Sequence, residues 1–225
     1  MTAELHLTDA FTGTPFRGNP AGVCILDEEA DPAWMLSVAG EVRASETAFL
    51  FPGKNEWNLR WFTPVTEVDL CGHATLAAAG VLWSSGRELP GSAISFRTRS
   101  GLLTARKEGD CISLDFPAEP VSPIPCPPGL CEAIGSVPVF TAANRMDLLA
   151  EVSSETLVRN LVPDPDTLAK LPYRGILVTA RSGSKDYDFV SRFFAPAVGI
   201  PEDPVTGSAH CALAPYWAGK LGKTS

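Results

Sequence analysis

The chain has 225 residues, of which 45% are hydrophobic and 20% are charged, a balance typical of folded globular proteins. Eighteen basic residues against 26 acidic ones give a formal net charge of −8. Such a surface repels phosphate backbones, which argues against a nucleic-acid partner. No apolar run approaches the roughly 18 residues that a membrane span requires, so we expect no membrane partner.

The N-terminus, MTAELHLTDAF, has no basic segment followed by an apolar one, so no secretion signal is predicted. Six cysteines could form disulfides in a short secreted domain, but a chain of this length can build a core without them. We therefore predict a cytoplasmic protein with reduced thiols. The cysteines are Cys24, Cys71, Cys111, Cys126, Cys131 and Cys211.

The first half of the chain alternates strand-like and helix-like segments. Asp31-Pro32 predicts a helix start, with Asp as the N-cap and Pro as the first helical residue. Residues 93–116 have the turn spacing of a meander. Apolar runs predict further strands at residues 5–8, 21–26, 47–51 and 59–62.

Seven prolines crowd residues 117–138, where they would interrupt a helix or a sheet. We predict an N-terminal domain at residues 1–117, a linker at 118–137 and a C-terminal domain at 138–225. The second half is predicted to contain strands at 148–152, 175–179 and 187–194 and a short helix at 164–171.

An internal repeat links the two halves. Residues 60–83 read RWFTPVTEVDLCGHATLAAAGVLW, and residues 192–217 read RFFAPAVGIPEDPVTGSAHCALAPYW. Phe62 and Phe194 are 132 positions apart, whereas Gly72 and Gly207 are 135 apart, so the loop of the second copy is three residues longer. The agreement predicts two similar domains. The alternative is two unrelated strand–loop–helix units.

Each copy places a glycine, Gly72 or Gly207, where an acidic loop meets an apolar helix. A helix N-terminus offers unpaired N–H groups and a partial positive charge, and glycine lets a ligand approach them. These features predict a site for a carboxylate or another anion. Helices that are apolar on all sides are buried, so we expect each to lie inside its domain, with both N-termini at one interdomain cleft. Pro215 should cost the second helix a hydrogen bond.

Proton transfer requires an ionisable group beside this anion site. Glu46 begins an apolar strand, where partial desolvation would raise its pKa towards neutrality and suit it to general acid/base catalysis. Asp203 lies in the second acidic loop. The alternatives are a surface or turn carboxylate for Glu46 and a turn or N-cap residue for Asp203.

Two further polar residues are candidates for the same site. His73 could donate to the ligand or relay a proton, or it could bind only its own backbone. Asn19, in RGNPAG, could contact the ligand or form a turn.

Four motifs resemble the phenazine-biosynthesis PhzF-like family. They are DAFTGTPFRGNPAGV at 9–23, SETAFL at 45–50, CGHATLAAAGVLW at 71–83 and EDPVTGSAH at 202–210. The resemblance implies an α+β fold with two similar domains, each a β-barrel-like sheet around a central helix, as in diaminopimelate epimerase. It also implies a homodimer.

The resemblance further implies a cofactor-independent isomerisation in which a proton is taken from one carbon and returned elsewhere. Glu46 falls on the family's catalytic glutamate, and His73 and Asp203 fall on residues that assist it. Gly72, Gly207 and Ser208 fall on residues that hold the substrate carboxylate. The characterised substrate is a dihydro-hydroxyanthranilate, and many members have other substrates. Family members usually continue with further strands, so the second domain is expected to be incomplete at its C-terminus.

Three alternatives remain open at this stage. A thiol-dependent epimerase would use Cys71, whose pKa a helix N-terminus would lower, but the matching position of the repeat is Thr206. A zinc site could combine Cys71, His73, His210 and Cys211, although this spacing matches no usual structural zinc site. A non-catalytic small-molecule-binding protein could keep the same scaffold.

Overall fold

The computed structural model describes residues 2–223. The chain divides into two compact units, Met1–Phe116 and Pro117–Ser225. None of the helices among the described residues is long and apolar enough to cross a membrane.

The first unit, over residues 2–116, contains eight strands and two helices. Its elements are β1 (Ala3–Ala10), β2 (Asn19–Leu26), α1 (Pro32–Val42), β3 (Glu46–Pro52), β4 (Trp57–Phe62), β5 (Glu67–Val68), α2 (Gly72–Ser84), β6 (Ile94–Thr98), β7 (Gly101–Glu108) and β8 (Cys111–Asp115). The strands form one sheet in the order β1-β2-β3-β4-β6-β7-β8, and β5 pairs with β4.

Helix α1 connects the parallel strands β2 and β3. It begins where the sequence predicts, because Asp31 Oδ1 accepts a hydrogen bond from the N–H of Ala33 at 2.7 Å and Pro32 occupies the first helical position. The helix packs its buried Met35 and Ala39 into an aromatic cluster with Phe49 and Phe62. This packing fixes the entry of the chain into β3.

Helix α2 is buried along nearly its whole length, as its apolar sequence predicts. It contacts β1, β2 and β3 at one side of the sheet and β8 at the other. Because β1 and β8 are the two edge strands, the sheet must curl around the helix. The first unit is therefore a barrel-like sheet with a central helix.

The second unit contains six strands, four α-helices and one 3-10 helix within residues 117–223. Its elements are β9 (Ser122–Pro123), α3 (Leu130–Ile134), β10 (Phe140–Ala143), β11 (Asp147–Glu151), α4 (Glu155–Asn160), α5 (Pro165–Leu168), β12 (Gly175–Arg181), β13 (Phe189–Ala195), the 3-10 helix Pro196–Val198, β14 (Ile200–Asp203) and α6 (Gly207–Leu221). The sheet order is β14-β13-β12-β11-β10-β9.

Strands β10 to β14 repeat the pairing of β1 to β5. In both units the successive pairs are antiparallel, parallel, antiparallel and antiparallel. The repeat also preserves an ion pair. Arg60 binds Glu67 through two hydrogen bonds of 2.8 and 2.7 Å, and Arg192 binds Glu202 through two of 2.7 and 2.8 Å. The predicted internal repeat is confirmed, and the three extra residues lie between the partners of the second pair.

Helix α6 is buried over most of its circumference but, unlike α2, leaves one face exposed. Ala209, Leu213 and Trp217 pack against the sheet, whereas His210 and Ala214 are exposed. Within residues 117–223 no strand follows α6 to cover this second face. Among the described residues, α6 is therefore enclosed less completely than α2.

Pro215 lies inside α6 and has a defined structural consequence. A residue with an N–H at this position would donate to the carbonyl of Cys211, four residues earlier. That carbonyl instead accepts a hydrogen bond from the N–H of Glu119 at 2.8 Å. The Cys211 carbonyl, which has no helical partner because of Pro215, thus joins the proline-rich segment to α6.

Residues 118–137 differ from the predicted linker. They include β9, which pairs with β10, and α3, whose Leu130, Ala133 and Ile134 are fully buried in a core cluster. The prolines interrupt regular structure, as expected, but leave room for one short strand and one short helix. The apolar residues among them bury surface in the second unit, which therefore begins at Pro117.

Gly175 provides a test of this packing. A Cβ built on Gly175 would lie 2.1 Å from Cζ of Phe193, whereas one on Gly219 in α6 would meet no atom of residues 2–223 within 4 Å. We expect Gly175→Ala to lower the free energy of unfolding by about 1–3 kcal/mol, because the buried ring must move. The matched Gly219→Ala should raise it by about 0.5–1 kcal/mol, because alanine favours a helix. Urea unfolding of both variants measures the two changes, and equal stabilities would contradict the packing.

Candidate active site

The start of α2 brings together ionisable side chains in the interior of the first unit. Cys71 is the N-cap, Gly72 is the first helical residue and His73 is the second. His73 is 1% exposed and Cys71 is 3% exposed. The helix dipole favours negative charge at this end, so a carboxylate is electrostatically suited to lie beside it.

Glu46 supplies that carboxylate. It is the first residue of β3 and is 7% exposed. Its Oε2 lies 3.5 Å from Nε2 of His73, and the Oγ of Ser45 lies 3.1 Å from the same nitrogen. On the other side of the ring, Sγ of Cys71 lies 3.6 Å from Nδ1. The imidazole therefore stands between a thiol and a carboxylate.

Asn19 lies on the strand next to Glu46. It is the first residue of β2 and is 1% exposed. Ala21, two residues along the strand, pairs with Glu46 across the parallel β2–β3 ladder. Side chains two apart on a strand share a face, which places Asn19 on the face of Ala21 and Glu46. The structure thus brings Glu46 and His73 together at the first turn of α2, where Gly72 lies, and places Asn19 on the sheet face that carries Glu46.

Ligand atoms of Glu46, Cys71 and His73 lie within 4.8 Å of one another, close enough to approach a single metal ion. However, Cys71 and Glu46 approach opposite nitrogens of the ring, and an imidazole offers one nitrogen to any one ion. Three ligands are also one fewer than a structural zinc site takes. The thiol and the carboxylate thus lie on opposite sides of the imidazole, each within 3.6 Å of one of its nitrogens.

His210 and Cys211, the other members of the predicted zinc set, are not part of this group. His210 is exposed, and its Nδ1 lies 3.1 Å from the carbonyl oxygen of Thr206 in its own helix. Burial raises the pKa of Cys211 to about 11, so its thiol stays protonated near neutral pH.

The second unit places the remaining predicted residues at the start of α6. Gly207 is its first residue, and Ser208, 4% exposed, is its second. Asp203 ends β14 and is 5% exposed. Its Oδ2 accepts a hydrogen bond of 2.7 Å from the hydroxyl of Thr206, the N-cap residue. Asp203 is therefore held against the loop that leads into the helix.

Arg174 and Asp147 belong to this site although the sequence analysis did not select them. Asp147 is 1% exposed, and Arg174 binds it through two hydrogen bonds of 2.9 and 2.6 Å. Nη2 of Arg174 also donates to Oγ of Ser208 at 3.2 Å. Arg174 occupies the position of Ser45 only when the strand pairing is followed, because Thr47 pairs with Phe62 and Ile176 pairs with Phe194. Counted back along the sequence from Phe62 and Phe194, Ser45 would instead match Leu177.

Comparisons with known proteins agree with this fold. A family model described as phenazine biosynthesis-like protein, PhzC-PhzF, matches residues 8–225. An uncharacterized isomerase from Halalkalibacterium halodurans is 50% identical over 224 residues, which are 99% of this chain and 84% of that protein.

Solved structures extend the likeness. The crystal structure of a PhzF-family phenazine biosynthesis protein from Enterococcus faecalis is 40% identical with a TM-score of 0.85, covering 100% of this chain and 85% of the other. A hydroxyproline epimerase from Agrobacterium vitis, 15% identical with a TM-score of 0.61, covers 99% of this chain and 78% of that one and shares the fold alone.

These relatives confirm three predictions, namely the two-unit α+β fold, the isomerase class and the family. As its four motifs indicated, the chain belongs to the phenazine biosynthesis-like PhzF family.

Proposed function

We propose that this isomerase moves a proton on a small carboxylate-bearing metabolite by carboxylate general acid/base catalysis, without a cofactor. The observation that carries the proposal is the buried Glu46 carboxylate in contact with the imidazole of His73 at the start of α2. Burying a carboxylate costs free energy, and a role as a catalytic base or as a ligand would account for that cost at this position.

In the proposed reaction the Glu46 carboxylate takes a proton from a substrate carbon as the C–H bond breaks. The electron pair moves into the conjugated system of the substrate, and the proton returns to a different carbon as a new C–H bond forms. His73 assists because its Nε2 faces Glu46, and a nearby imidazole can share or stabilise the transferred proton. Asn19, on the neighbouring strand, is proposed as a substrate contact.

We propose that the start of α6 binds the substrate carboxylate. The amides of Gly207 and Ser208 point out of the first turn, where backbone N–H groups have no partner inside the helix. The amide of Gly72 plays the same part in the first unit. Asp203 is proposed as a second acid/base group.

The resemblance to PhzF proteins also supports a homodimer, which light scattering of the purified protein would test.

A thiol-dependent epimerase is the second candidate, and one contact favours it. Sγ of Cys71 lies 3.6 Å from Nδ1 of His73, a distance at which an imidazole could take the thiol proton. Against it, the repeat offers Thr206 where a two-thiol mechanism needs a second cysteine.

Replacement of Glu46 tests the proposed base. We expect Glu46→Gln to slow the exchange of carbon-bound hydrogen with D2O by about 10²–10⁴-fold, the usual contribution of a general base. The measurement is deuterium incorporation, by mass spectrometry, into a dihydro-hydroxyanthranilate and into a panel of small amino and hydroxy acids.

Glu56→Gln is the matched control. Glu56 lies at the opposite end of β3, where it accepts a hydrogen bond of 2.6 Å from Nε of Arg97. This variant should exchange like the unaltered protein. If Glu46→Gln also kept more than about a tenth of the exchange rate, Glu46 would not be the base.

Replacement of Cys71 separates the two candidates. With Glu46 as the base, Cys71→Ala should keep deuterium exchange within about tenfold of the unaltered protein. Cys24→Ala is the control, because Cys24 is a buried thiol of the same unit whose pKa burial raises to about 11. A complete loss of exchange in Cys71→Ala alone, with folding and ligand binding retained, would establish the thiol mechanism instead.

A further inference from the structure

Each unit contains a contact between the same two positions of the repeat, but the residues at those positions differ between the units. Thr47 pairs with Phe62 in the first unit, and Ile176 pairs with Phe194 in the second. Since Phe62 and Phe194 correspond in the repeat, the residue that precedes β3, Ser45, corresponds to the residue that precedes β12.

The residue before β12 is Arg174, and the same alignment matches His73 with Ser208. Ser45 contacts His73 at 3.1 Å in the first unit, and Arg174 contacts Ser208 at 3.2 Å in the second. The contact therefore occurs at the same place in both units, but a serine–histidine pair in the first unit is replaced by an arginine–serine pair in the second. In the second unit it brings a permanent positive charge to the start of the central helix.

The guanidinium of Arg174 is held in a fixed orientation. Both oxygens of the buried Asp147 accept from it, in the two-point geometry that suits arginine and carboxylate. The guanidinium also lies 5.4 Å from the ring centre of Phe193. That ring occupies the space beside Gly175 that a side chain would fill. Asp147 and Phe193 thus place one edge of the guanidinium against Ser208.

This orientation determines what the Ser208 hydroxyl can do. An arginine can only donate, so Ser208 Oγ acts as the acceptor towards Arg174. The single hydroxyl hydrogen then remains available to donate elsewhere. Donation to a hydroxyl also strengthens its own donation, because hydrogen bonds in a chain polarise one another. A carboxylate at the start of α6 is the ligand that this donor, the amides and the nearby charge would favour.

We propose that Arg174 is a positioning residue that orients the Ser208 hydroxyl towards the substrate carboxylate and makes this end of α6 selective for an anion. The inference rests on the proposed anion site and deepens it. The inference assigns to Arg174 the preference of this site for a carboxylate over a neutral ligand of the same shape.

Acetate and acetamide test the inference, because they have similar shapes and differ in charge. The full-length protein is labelled with 15N, and the amide signals of Gly207 and Ser208 are followed during titration with each compound. We expect the unaltered protein to prefer acetate. Arg174→Gln should weaken acetate binding by about tenfold and leave acetamide binding within about twofold. Arg174→Lys, which keeps a charged donor, should restore most of the preference.

Two further variants isolate the role of Ser208. Ser208→Ala should also weaken acetate binding, and Arg174→Gln added to Ser208→Ala should cost much less than it does alone, because the two residues act through one contact. Because Arg174→Gln leaves the buried Asp147 without its ion-pair partner, the pair Asp147→Asn with Arg174→Gln is made as well. That double variant should show the same loss of selectivity in a folded protein.

The control is Arg192→Gln. Arg192 also binds a carboxylate at two points and lies 4.9 Å from a phenylalanine ring, but that ring, Phe194, packs in the core cluster that does not contain α6. This variant should keep the preference for acetate. A purely structural role for Arg174 predicts similar behaviour of the two arginine variants.

The outcomes separate this inference from the proposed function. An unchanged preference for acetate in Arg174→Gln, or in the double variant, would overturn the inference and leave the anion site standing. No shift of the Gly207 and Ser208 amides with acetate in the unaltered protein would overturn both. Loss of selectivity in Arg174→Gln together with normal deuterium exchange in Glu46→Gln would support the inference and refute only the role of Glu46.

Discussion

The contact between Glu46 and His73 places two ionisable groups in the interior of the first unit, and the local architecture follows from the need to accommodate them. A buried carboxylate is costly unless hydrogen bonds or opposite charge compensate it. Here β3 begins at Glu46 and α2 begins at Gly72, so the carboxylate, the imidazole and the positive end of the helix dipole lie together. A shift of either element by one residue would separate them.

Burial of α2 is what makes this arrangement possible. A helix inside a curled sheet can point its first turn at one end of the sheet, where the strand ends lie. The helix needs no polar face for solvent, and its sequence, rich in alanine, lets the strands approach closely. The aromatic cluster around Phe49 and α1 then holds β3 in position from the other side. The first unit thus places the buried Glu46 and His73 at the first turn of α2, while its aromatic cluster packs around α1.

The sequence was sufficient to predict the two similar units, because the repeat preserves an aromatic residue, a proline, a glycine and an apolar helix in one order. It was also sufficient to select Glu46, Gly72 and His73, which the structure groups. It did not predict the strand and helix within residues 118–137, because a high proline content hides the few apolar residues, such as Leu130, that reach the core. Arg174 was missed for another reason. Its partners Asp147 and Ser208 are 27 and 34 residues away, and only the folded sheet brings them together.

The differences between the two units bear on the choice of mechanism. A racemase that uses two equivalent acids would keep similar groups at matching positions of the repeat. In this chain Glu46 corresponds to Gly175, a position where the ring of Phe193 replaces any side chain. Likewise, Cys71 corresponds to Thr206, whose hydroxyl binds Asp203.

The duplication has therefore diverged into unlike halves. The first unit has a carboxylate beside an imidazole, whereas the second has an arginine, paired with a buried aspartate, beside a serine. A mechanism with two equivalent acids, one from each copy of the repeat, would need a matched pair at these positions, and neither Glu46 with Gly175 nor Cys71 with Thr206 is such a pair.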